Sequence, residues 1–423
     1  MELLEKILEK ENLNKAYKHV KANKGAPGVD GVTVDEAYEN IIQNKEKWLH
    51  QIRKRTYKPQ PVRRVQIPKE NGKMRNLGIP TVFDRIIQQA IVQVLSPIYE
   101  EQFSETSYGF RPGRCCENAV IKALEYLNNE YEWIVDIDLE RFFDTVDQDR
   151  LINIIMRTIK DGDVVSLIRK YLSAGVMDKG VTKATEKGTP QGGNLSPLLS
   201  NIMLNELDKE LETRGLRFVR YADDCIILVK SKKAANRVLE SITKFIEKKL
   251  GLKVNAEKSK VTRPTKTKYL GFSFWKDTKR KWKPKPHLKS YQKIKRKLKQ
   301  LTCRRISISL DERIKQINYA VRGWVNYFRI ANMKNAIQEI DKHLRTRVRV
   351  IIWKQWKKAS RREKALLQLG VKPDIAHNLA NTSKGYQIVA KTDWLKFAIN
   401  IERLRKRGMI FLSDQYQKVH NEI

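Results

Sequence analysis

The sequence predicts a mixed α+β fold, because strand patterns and helix patterns occur in the same part of the chain. Two short apolar runs, at residues 216–220 and 225–229, flank the tetrapeptide YADD and predict a strand, a tight turn and a strand. A further apolar run at 134–139 predicts a buried strand, and apolar residues at helical spacing begin near Ser196. With 423 residues, 41% of them apolar, the chain can form two to four subdomains with ordinary cores.

Residues 1–85 are predicted to contain a helix, a loop and a hairpin. The segment ELLEKILEKENLNKAYKHV has the pattern of a charged amphipathic helix, and KANKGAPGVDG is a loop rich in Gly and Pro. The segment IPKENGKMRNLGIP predicts a hairpin that turns at Asn71 and Gly72. No secretory signal and no apolar run of bilayer length are visible, and the four cysteines lack C-x-x-C spacing. We therefore expect a cytoplasmic protein, assuming a bacterial host.

The strand predicted at 134–139 carries two carboxylates, Asp136 and Asp138. Charged side chains in a buried strand are rare unless they are paired or bind a metal. Both lie on one face of the strand, because side chains alternate with a period of two, so spacing alone does not choose between them. One alternative makes Asp136 an ion-pair partner and Asp138 the metal ligand.

The tetrapeptide YADD places Asp223 and Asp224 on the predicted turn. Neighbouring carboxylates repel each other, and a divalent cation would offset this cost. A third carboxylate from the strand at 134–139 would allow a site for two metal ions about 3.5–4 Å apart, the arrangement of polymerases. The alternative is an ordinary surface turn with two exposed aspartates.

The segment GTPQGGNLSPLL at 188–199 is rich in Gly and leads into a predicted helix. Such a loop lets the backbone approach a phosphate or a base closely, although many glycine-rich segments are plain helix entries. The helical stripe consists of Leu198, Ile202, Leu204, Leu207 and Leu211.

The charge of the chain predicts a nucleic-acid partner. The formal net charge is +37, from 85 Lys and Arg against 48 Asp and Glu. Residues 271–370 contain 29 Lys and Arg against 6 Asp and Glu, so 23 of the 37 excess positive charges lie in this stretch. A solubilising tail is the alternative, but interleaved aromatic residues favour a folded binding surface: Trp275, Trp282, Trp324, Tyr327, Phe328, Trp353 and Trp356.

An ordered set of motifs extends over nearly the whole chain. The segments are IPKENGKMRNLGIPTVFDRIIQQAI, SYGFRPGRCCENAV, VDIDLERFFDTV, GTPQGGNLSPLLSNI, RFVRYADD, LGLKVNAEKSKV, YLGFSF and, at 317–330, INYAVRGWVNYFRI. Together they resemble the reverse transcriptases and maturases encoded by bacterial group II introns, the last segment resembling their maturase (thumb) part. The resemblance implies a right-hand polymerase fold of fingers, palm and thumb.

The resemblance also implies site residues. In the family pattern D-x-x-x-F-F the metal-binding Asp lies four residues before the first Phe, which selects Asp138 rather than Asp136. Asp138, Asp223 and Asp224 are then the catalytic carboxylates, and with Leu139 they form the set expected to bind two Mg²⁺ ions. Five residues are expected at the incoming deoxynucleoside triphosphate (dNTP): Lys69, Arg75, Phe143, Gln191 and Lys258. Lys73 could substitute for Lys69 or Arg75. Lys258 is expected to protonate the leaving pyrophosphate, and the alternative is that it is an ordinary surface lysine.

Four domains are expected. They are an N-terminal extension with fingers (1–85), a palm with the remaining fingers elements (86–280), a thumb (281–345) and a C-terminal basic DNA-binding module (346–423). The stretch KDTKRKWKPKPH is expected to be a loop into the thumb. An apolar thumb-helix stripe is predicted at Ile314, Ile317, Val321, Trp324 and Phe328. Nucleic-acid contacts are expected from Lys315, Arg322 and Arg329, and also from Arg63, Arg64, Arg85 and Arg111.

The resulting prediction is an RNA-directed DNA polymerase that also promotes splicing of its parent group II intron RNA and copies it during retrohoming. The expected partners are this intron RNA, an RNA template with a DNA primer, target DNA and dNTPs, with no membrane. Because the chain ends before the His/Cys-rich endonuclease domain of longer members, we expect no target-strand cleavage and a place near the compact C-type introns. The alternatives are a reverse transcriptase of the retron or defence type, a maturase without polymerase activity, and an RNA-templated RNA polymerase.

Overall fold

The computed structural model describes residues 2–68, 72, 74–178, 180–185, 187–189 and 192–420. The chain divides into two compact units, Met1–Pro264 and Thr265–Ile423. The first unit contains the predicted N-terminal extension, the fingers and most of the palm. The finer division into four domains stays a prediction.

The first unit combines two sheets with helices. Its helices are α1 (Leu3–Leu8), α2 (Lys10–Ala22), α3 (Ala37–Arg53), α4 (Val82–Glu100), α5 (Cys116–Asn128), α6 (Phe142–Thr145), α7 (Gln148–Thr158), α8 (Gly162–Ser173), α9 (Ser196–Thr213) and α10 (Lys232–Phe245), which continues as a π-helix (Ile246–Leu250). Its strands are β1 (Val62–Pro68), β2 (Met74–Ile79), β3 (Trp133–Ile137), β4 (Val176–Asp178), β5 (Val181–Lys183), β6 (Arg217–Tyr221), β7 (Asp224–Val229) and β8 (Lys260–Thr262). This mixture confirms the predicted α+β class.

A four-stranded sheet with the order β6-β7-β3-β8 forms the centre of the first unit. All three of its neighbouring strand pairs are antiparallel. Strand β3 is buried in its interior, since Ile134, Val135 and Ile137 are at most 1% exposed. Helix α9 begins at Ser196, as predicted, and the whole predicted stripe from Leu198 to Leu211 is buried in the same core. The sheet therefore rests on an apolar helical layer and ends at the two aspartate motifs.

The second sheet of this unit has the order β2-β1-β4-β5. Strands β1 and β2 pair antiparallel, from Arg63 with Ile79 to Pro68 with Met74. This pairing confirms the two strands of the hairpin predicted in IPKENGKMRNLGIP, whereas the turn predicted at Asn71 lies outside the described residues. Strand β4 pairs parallel with β1, which ties the hairpin to the segment just ahead of the glycine-rich loop.

The second unit is a helical body with one hairpin. Its strands are β9 (Phe272–Lys276) and β10 (Trp282–Pro286), and its helices are α11 (Leu288–Leu301), α12 (Leu310–Tyr327), α13 (Lys334–Gln355), α14 (Ala359–Gln368), α15 (Pro373–Ala380), α16 (Tyr386–Val389), α17 (Asp393–Ala398), α18 (Ile401–Lys406) and α19 (Leu412–His420). Among the residues described, no helix is both long enough and apolar enough to span a membrane. Four residues of the predicted α12 stripe are at most 5% exposed, and Trp324 is partly exposed.

The stretch KDTKRKWKPKPH is not the loop that the sequence predicts. Its second half is β10, which pairs with β9 from Trp282 opposite Lys276 to Pro286 opposite Phe272. Prolines normally argue against a strand because they cannot donate to the ladder. A two-stranded hairpin tolerates them, because each strand has one side without a partner strand.

Candidate active site

The register of the central sheet brings two of the predicted carboxylates to neighbouring positions. Strands β3 and β7 are antiparallel, and Ile137 lies opposite Cys225. This is the last pair between the two strands, so Asp138 directly follows it on one chain segment and Asp224 directly precedes it on the other. The aspartates from two separate motifs therefore meet at the same end of the sheet.

Asp223 lies in the turn that joins β6 to β7. Tyr221 pairs with Asp224, so Ala222 and Asp223 form a two-residue turn. Ala222 has a φ of +56°, in the left-handed region that such hairpin turns use. Ala222 is buried, whereas Asp223 is partly exposed and Asp224 is exposed. The predicted strand, turn and strand are confirmed, with both carboxylates accessible to solvent.

The backbone of Asp138 is fixed by the segment that follows the π-helix. The Asp138 amide donates to Ser259 Oγ at 3.0 Å, and the Asn255 amide donates to the Asp138 carbonyl at 2.8 Å. Leu139 forms a bridge with Val254, and its side chain is buried. Leu139 could therefore bind a metal ion only through its main-chain carbonyl oxygen.

The Asp138 carboxylate is paired with Lys258. The Lys258 ammonium lies 3.1 Å from Oδ1 and 3.2 Å from Oδ2, and 64% of the lysine side chain is exposed. A positive charge thus already sits where a metal ion would bind to this carboxylate. The pair also places Lys258 at this end of the sheet.

Asp136 has a different environment from Asp138. It lies inside β3, opposite Ile226 on one side and Lys260 on the other. Burial raises the pKa of Asp136 to about 6, although the charge of Lys260 opposes the shift. A carboxyl group that is costly to ionise and lies within the strand is a poorer metal ligand than one at its end.

The carboxylates of the two aspartate motifs are suitable ligands for Mg²⁺, but they are not arranged as a metal site in this structure. Carboxylate oxygens are the ligands that Mg²⁺ prefers. Within the described ranges, however, no group of three or more His, Cys, Asp or Glu side chains is arranged to hold a metal ion. The residues fit the ion chemically, and the Asp138 carboxylate is paired with Lys258 in this structure.

Phe143 lies beside the glycine-rich loop. The Thr189 amide donates to the Phe143 carbonyl at 2.7 Å, and a Cβ on Gly188 would lie 2.7 Å from the same oxygen. A cavity of about 290 Å³ opens here, lined by Phe143, Gly188 and Arg64 among others. Phe142 is 2% exposed and belongs to the core, whereas Phe143 is only partly buried. The second phenylalanine therefore faces a space that the first does not reach.

The cations of the fingers hairpin are only partly described. Arg75 is exposed on β2, and Arg64 lies 3.6 Å from Asp178 in an ion pair on the neighbouring strand. Arg63 is partly exposed on β1. The predictions for Lys69, Lys73 and Gln191 lie outside the described residues.

Two of the predicted nucleic-acid residues are largely buried. Arg111 is 6% exposed, and its guanidinium donates to Glu100 Oε1 at 2.7 Å and to the Ser107 carbonyl at 2.9 Å. This engagement with protein groups argues against the predicted nucleic-acid contact of Arg111. Arg85 is 7% exposed and donates to the Ala26 carbonyl at 2.8 Å. Arg85 thus ties α4 to the Gly- and Pro-rich loop near the N-terminus.

The second unit presents the predicted cations of α12 on its surface. Lys315 and Arg322 are exposed, and Arg329 is exposed just after the helix ends. A cavity of about 650 Å³ beside α11 and α13 is also cationic, with Lys295 and Arg347 among its lining residues. The unit therefore offers exposed and recessed positive charge in one helical body.

One buried pair near the carboxylates was missed from the sequence. Arg220 of β6 and Asp208 of α9 are both 0% exposed and form an ion pair directly behind the YADD turn. An arginine that directly follows the apolar residues Phe218 and Val219 was the available signal, because a buried charge requires a partner.

Two parts of the chain match known protein families. Residues 67–274 match the family described as reverse transcriptase (RNA-dependent DNA polymerase), and residues 291–370 match the group II intron maturase-specific domain. The chain is 34% identical to Protein YkfC of Escherichia coli (strain K12), over 61% of this chain and 78% of that protein.

A second relative is the group II intron-encoded protein LtrA of Lactococcus lactis subsp. cremoris, at 34% identity over 61% of this chain. The chain spans 54% of the length of LtrA. Among solved structures, a chain of a partial Cas6-RT-Cas1–Cas2 complex aligns over 58% of this chain and 43% of that one, at 26% identity and a TM-score of 0.39.

Proposed function

Since the chain belongs to the family of reverse transcriptases and maturases encoded by group II introns, and is by class an RNA-directed DNA polymerase, we propose that Asp138, Asp223 and Asp224 are its catalytic carboxylates. The observation that carries this proposal is the register of β3 on β7, which brings the two aspartate motifs to one end of the sheet.

These three carboxylates and the Leu139 carbonyl would hold two Mg²⁺ ions. When bound, Mg²⁺ supplies Lewis-acid activation of the primer 3′-hydroxyl and neutralises charge on the leaving pyrophosphate. The protein contributes position: Ser259 and Asn255 fix the Asp138 backbone, and the hairpin turn fixes Asp223 and Asp224. Such pre-organised charge is the main source of catalysis in phosphoryl transfer.

Lys258 is the proposed proton donor to the leaving pyrophosphate. Its ammonium already lies 3.1 Å from Asp138 Oδ1, within reach of groups bound at the end of the sheet. Release from Asp138 would free the ammonium to face a phosphate oxygen. An ammonium can both neutralise that oxygen and donate a proton to it.

Phe143 is proposed to exclude the ribose 2′-hydroxyl of a ribonucleotide. Its ring is partly exposed beside the 290 Å³ cavity, and its backbone is fixed by Thr189 of the glycine-rich loop. Arg64 lines the same cavity and Arg75 is exposed on the adjoining strand, so phosphates could be bound at its edge. We propose dNTPs as substrates on this basis, with Lys69 and Gln191 as further contacts.

The second proposed role is binding of the parent intron RNA to promote its splicing. Lys315, Arg322 and Arg329 are exposed, and the pKa of His343 is lowered by burial and by surrounding cations that include Arg347. A structured RNA is recognised largely by shape and backbone, which such a surface suits. Retrohoming would then use the same RNA as template, with target DNA bound by the module at 346–423.

Primer extension on a long RNA template tests the polymerase assignment. We expect DNA synthesis with dNTPs and Mg²⁺, and little product when ribonucleotides replace them. A preference for ribonucleotides would instead favour an RNA-templated RNA polymerase. Absence of any extension, with intron binding retained, would favour a maturase that acts only in splicing.

A further inference from the structure

Arg220 is a fully buried arginine that directly precedes the YADD turn. Its Nε donates to Asp208 Oδ1 at 2.7 Å, and its Nη2 donates to Asp208 Oδ2 at 2.5 Å. Both side chains are 0% exposed. Burying an ion pair costs desolvation that is recovered only when the remaining donors are also satisfied. The remaining nitrogen of this guanidinium should therefore also have hydrogen-bond acceptors.

The remaining terminal nitrogen of Arg220 binds the turn itself. Its Nη1 donates to the Ala222 carbonyl at 3.0 Å and to Asn201 Oδ1 at 3.0 Å. Ala222 has a φ of +56°, which costs energy for a residue other than Gly and persists when the surroundings hold it. The guanidinium thus holds the residue that immediately precedes Asp223, and Asp208 and Asn201 anchor it to α9.

The turn is held from its other side by residues 106–109. The Tyr108 amide donates to the Arg220 carbonyl at 2.9 Å, and the Arg220 amide donates to the Thr106 carbonyl at 3.0 Å. Gly109 lies so close that a Cβ there would be 2.1 Å from the Ala222 nitrogen. Asn201 connects the two sides, because its Nδ2 donates to the Gly109 carbonyl at 2.8 Å.

We propose that Arg220 is a positioning residue for Asp223 and Asp224, acting through the Ala222 carbonyl with Asp208 and Asn201 as its anchors. The proposal rests on the catalytic role proposed above for those two aspartates. A purely structural pair would change stability and leave the rate of the folded enzyme alone. A positioning pair also sets the mobility of the turn and the rate of nucleotide addition, since small misplacements of catalytic groups are costly.

The first test uses Arg220→Lys. Lysine keeps a positive charge opposite Asp208 but lacks the planar fork that reaches Asp208, Asn201 and Ala222 together. We expect kcat for dNTP addition to fall about 10–100-fold with little change in KM for primer–template. Amide hydrogen exchange at residues 222–224 should become faster.

The control is Leu211→Ala, which removes a 0% exposed side chain from α9, the helix that carries Asp208 and Asn201. This control should lower the melting temperature and change neither kcat, measured well below that temperature, nor exchange at the turn.

The second test is the double variant Asp208→Leu with Arg220→Met, which removes both charges and keeps an apolar volume. Its melting temperature should approach that of the unmodified protein, while kcat stays low and the turn still exchanges fast. Recovery of kcat together with stability would overturn the proposal, as would faster exchange without any loss of rate.

The variant Asp223→Ala separates failure of this proposal from failure of the proposed function. If Asp223→Ala retains polymerisation, the proposed function fails. Unchanged exchange at the turn in Arg220→Lys refutes the positioning role by itself.

Discussion

The acidic end of the central sheet and the basic surface of the second unit differ in how their charges are held. Asp138 and Asp224 are set by strand register, and the turn at Asp223 is held by the buried Arg220 and Asp208 pair. Lys315 and Arg322 instead project from a helix into solvent on long side chains. Chemistry needs a few atoms placed accurately, whereas backbone binding needs many charges placed approximately. Substitutions should therefore have large effects at the first region and graded, salt-dependent effects at the second.

The largest effect is expected from Asp138→Ala or Asp223→Ala. Either change removes a carboxylate from the end of the sheet, so DNA synthesis should fall on the order of 10⁴-fold. RNA affinity should stay near that of the unmodified protein, because neither aspartate belongs to the basic surface. Primer extension together with filter binding would measure both. More than a small residual fraction of synthesis in either variant would remove these residues from the catalytic set.

Lys258→Gln should have the next largest effect. Loss of a proton donor costs about 10²-fold in rate. The matched control is Lys253→Gln, because Lys253 is exposed on the same segment and pairs with Glu140 at 3.0 Å. Rates of single-nucleotide addition by the two variants would be compared. Equal, small effects of the two variants would make Lys258 an ordinary surface lysine.

Phe143→Ala should relax the choice of sugar. Without the ring beside the cavity, ribonucleotide use relative to deoxynucleotide use should rise about 10–100-fold. Phe142→Leu is the control, because Phe142 is buried and its loss should reduce stability without changing this ratio. The ratio would be measured by competition in primer extension. An unchanged ratio in Phe143→Ala would mean that the ring serves packing alone.

The smallest effect per residue is expected on the basic surface. Lys315→Glu with Arg322→Glu should weaken intron RNA binding about tenfold at physiological salt and reduce the salt slope by about 2. Lys209→Glu with Lys244→Glu makes the same change in net charge at exposed sites of the first unit and serves as the control. Binding curves at several salt concentrations would compare the pairs. If both pairs reduce the slope equally, overall charge and not the α12 surface determines binding.

Local patterns predicted the parts of the fold that depend on nearby residues. The YADD hairpin, the β1 and β2 hairpin and the α12 stripe follow from alternation, turn residues and helical spacing, and the structure confirms them. The strand β10 was missed, since its prolines oppose a strand in isolation and only the partner strand β9 shows how they are accommodated.

The buried side chains that hold the candidate active site also could not be predicted from local sequence patterns. Asp208 and Arg220 lie on different elements, so their pairing depends on how α9 packs on β6. The burial of Arg111 has the same origin, because its partners become close only when the chain between Glu100 and Ser107 is folded. Residue types identified candidate catalytic groups, and tertiary packing determines which side chains lie around them.

The separation of the two regions is tested most directly by splicing of the parent intron with Asp223→Ala. The RNA carries the splicing chemistry in this family, so the variant should promote splicing at a rate near that of the unmodified protein while making no DNA. Lys315→Glu with Arg322→Glu, assayed in parallel, should reduce splicing along with RNA binding. Loss of splicing in Asp223→Ala, with its melting temperature and RNA affinity intact, would contradict the account and show that both activities use one site.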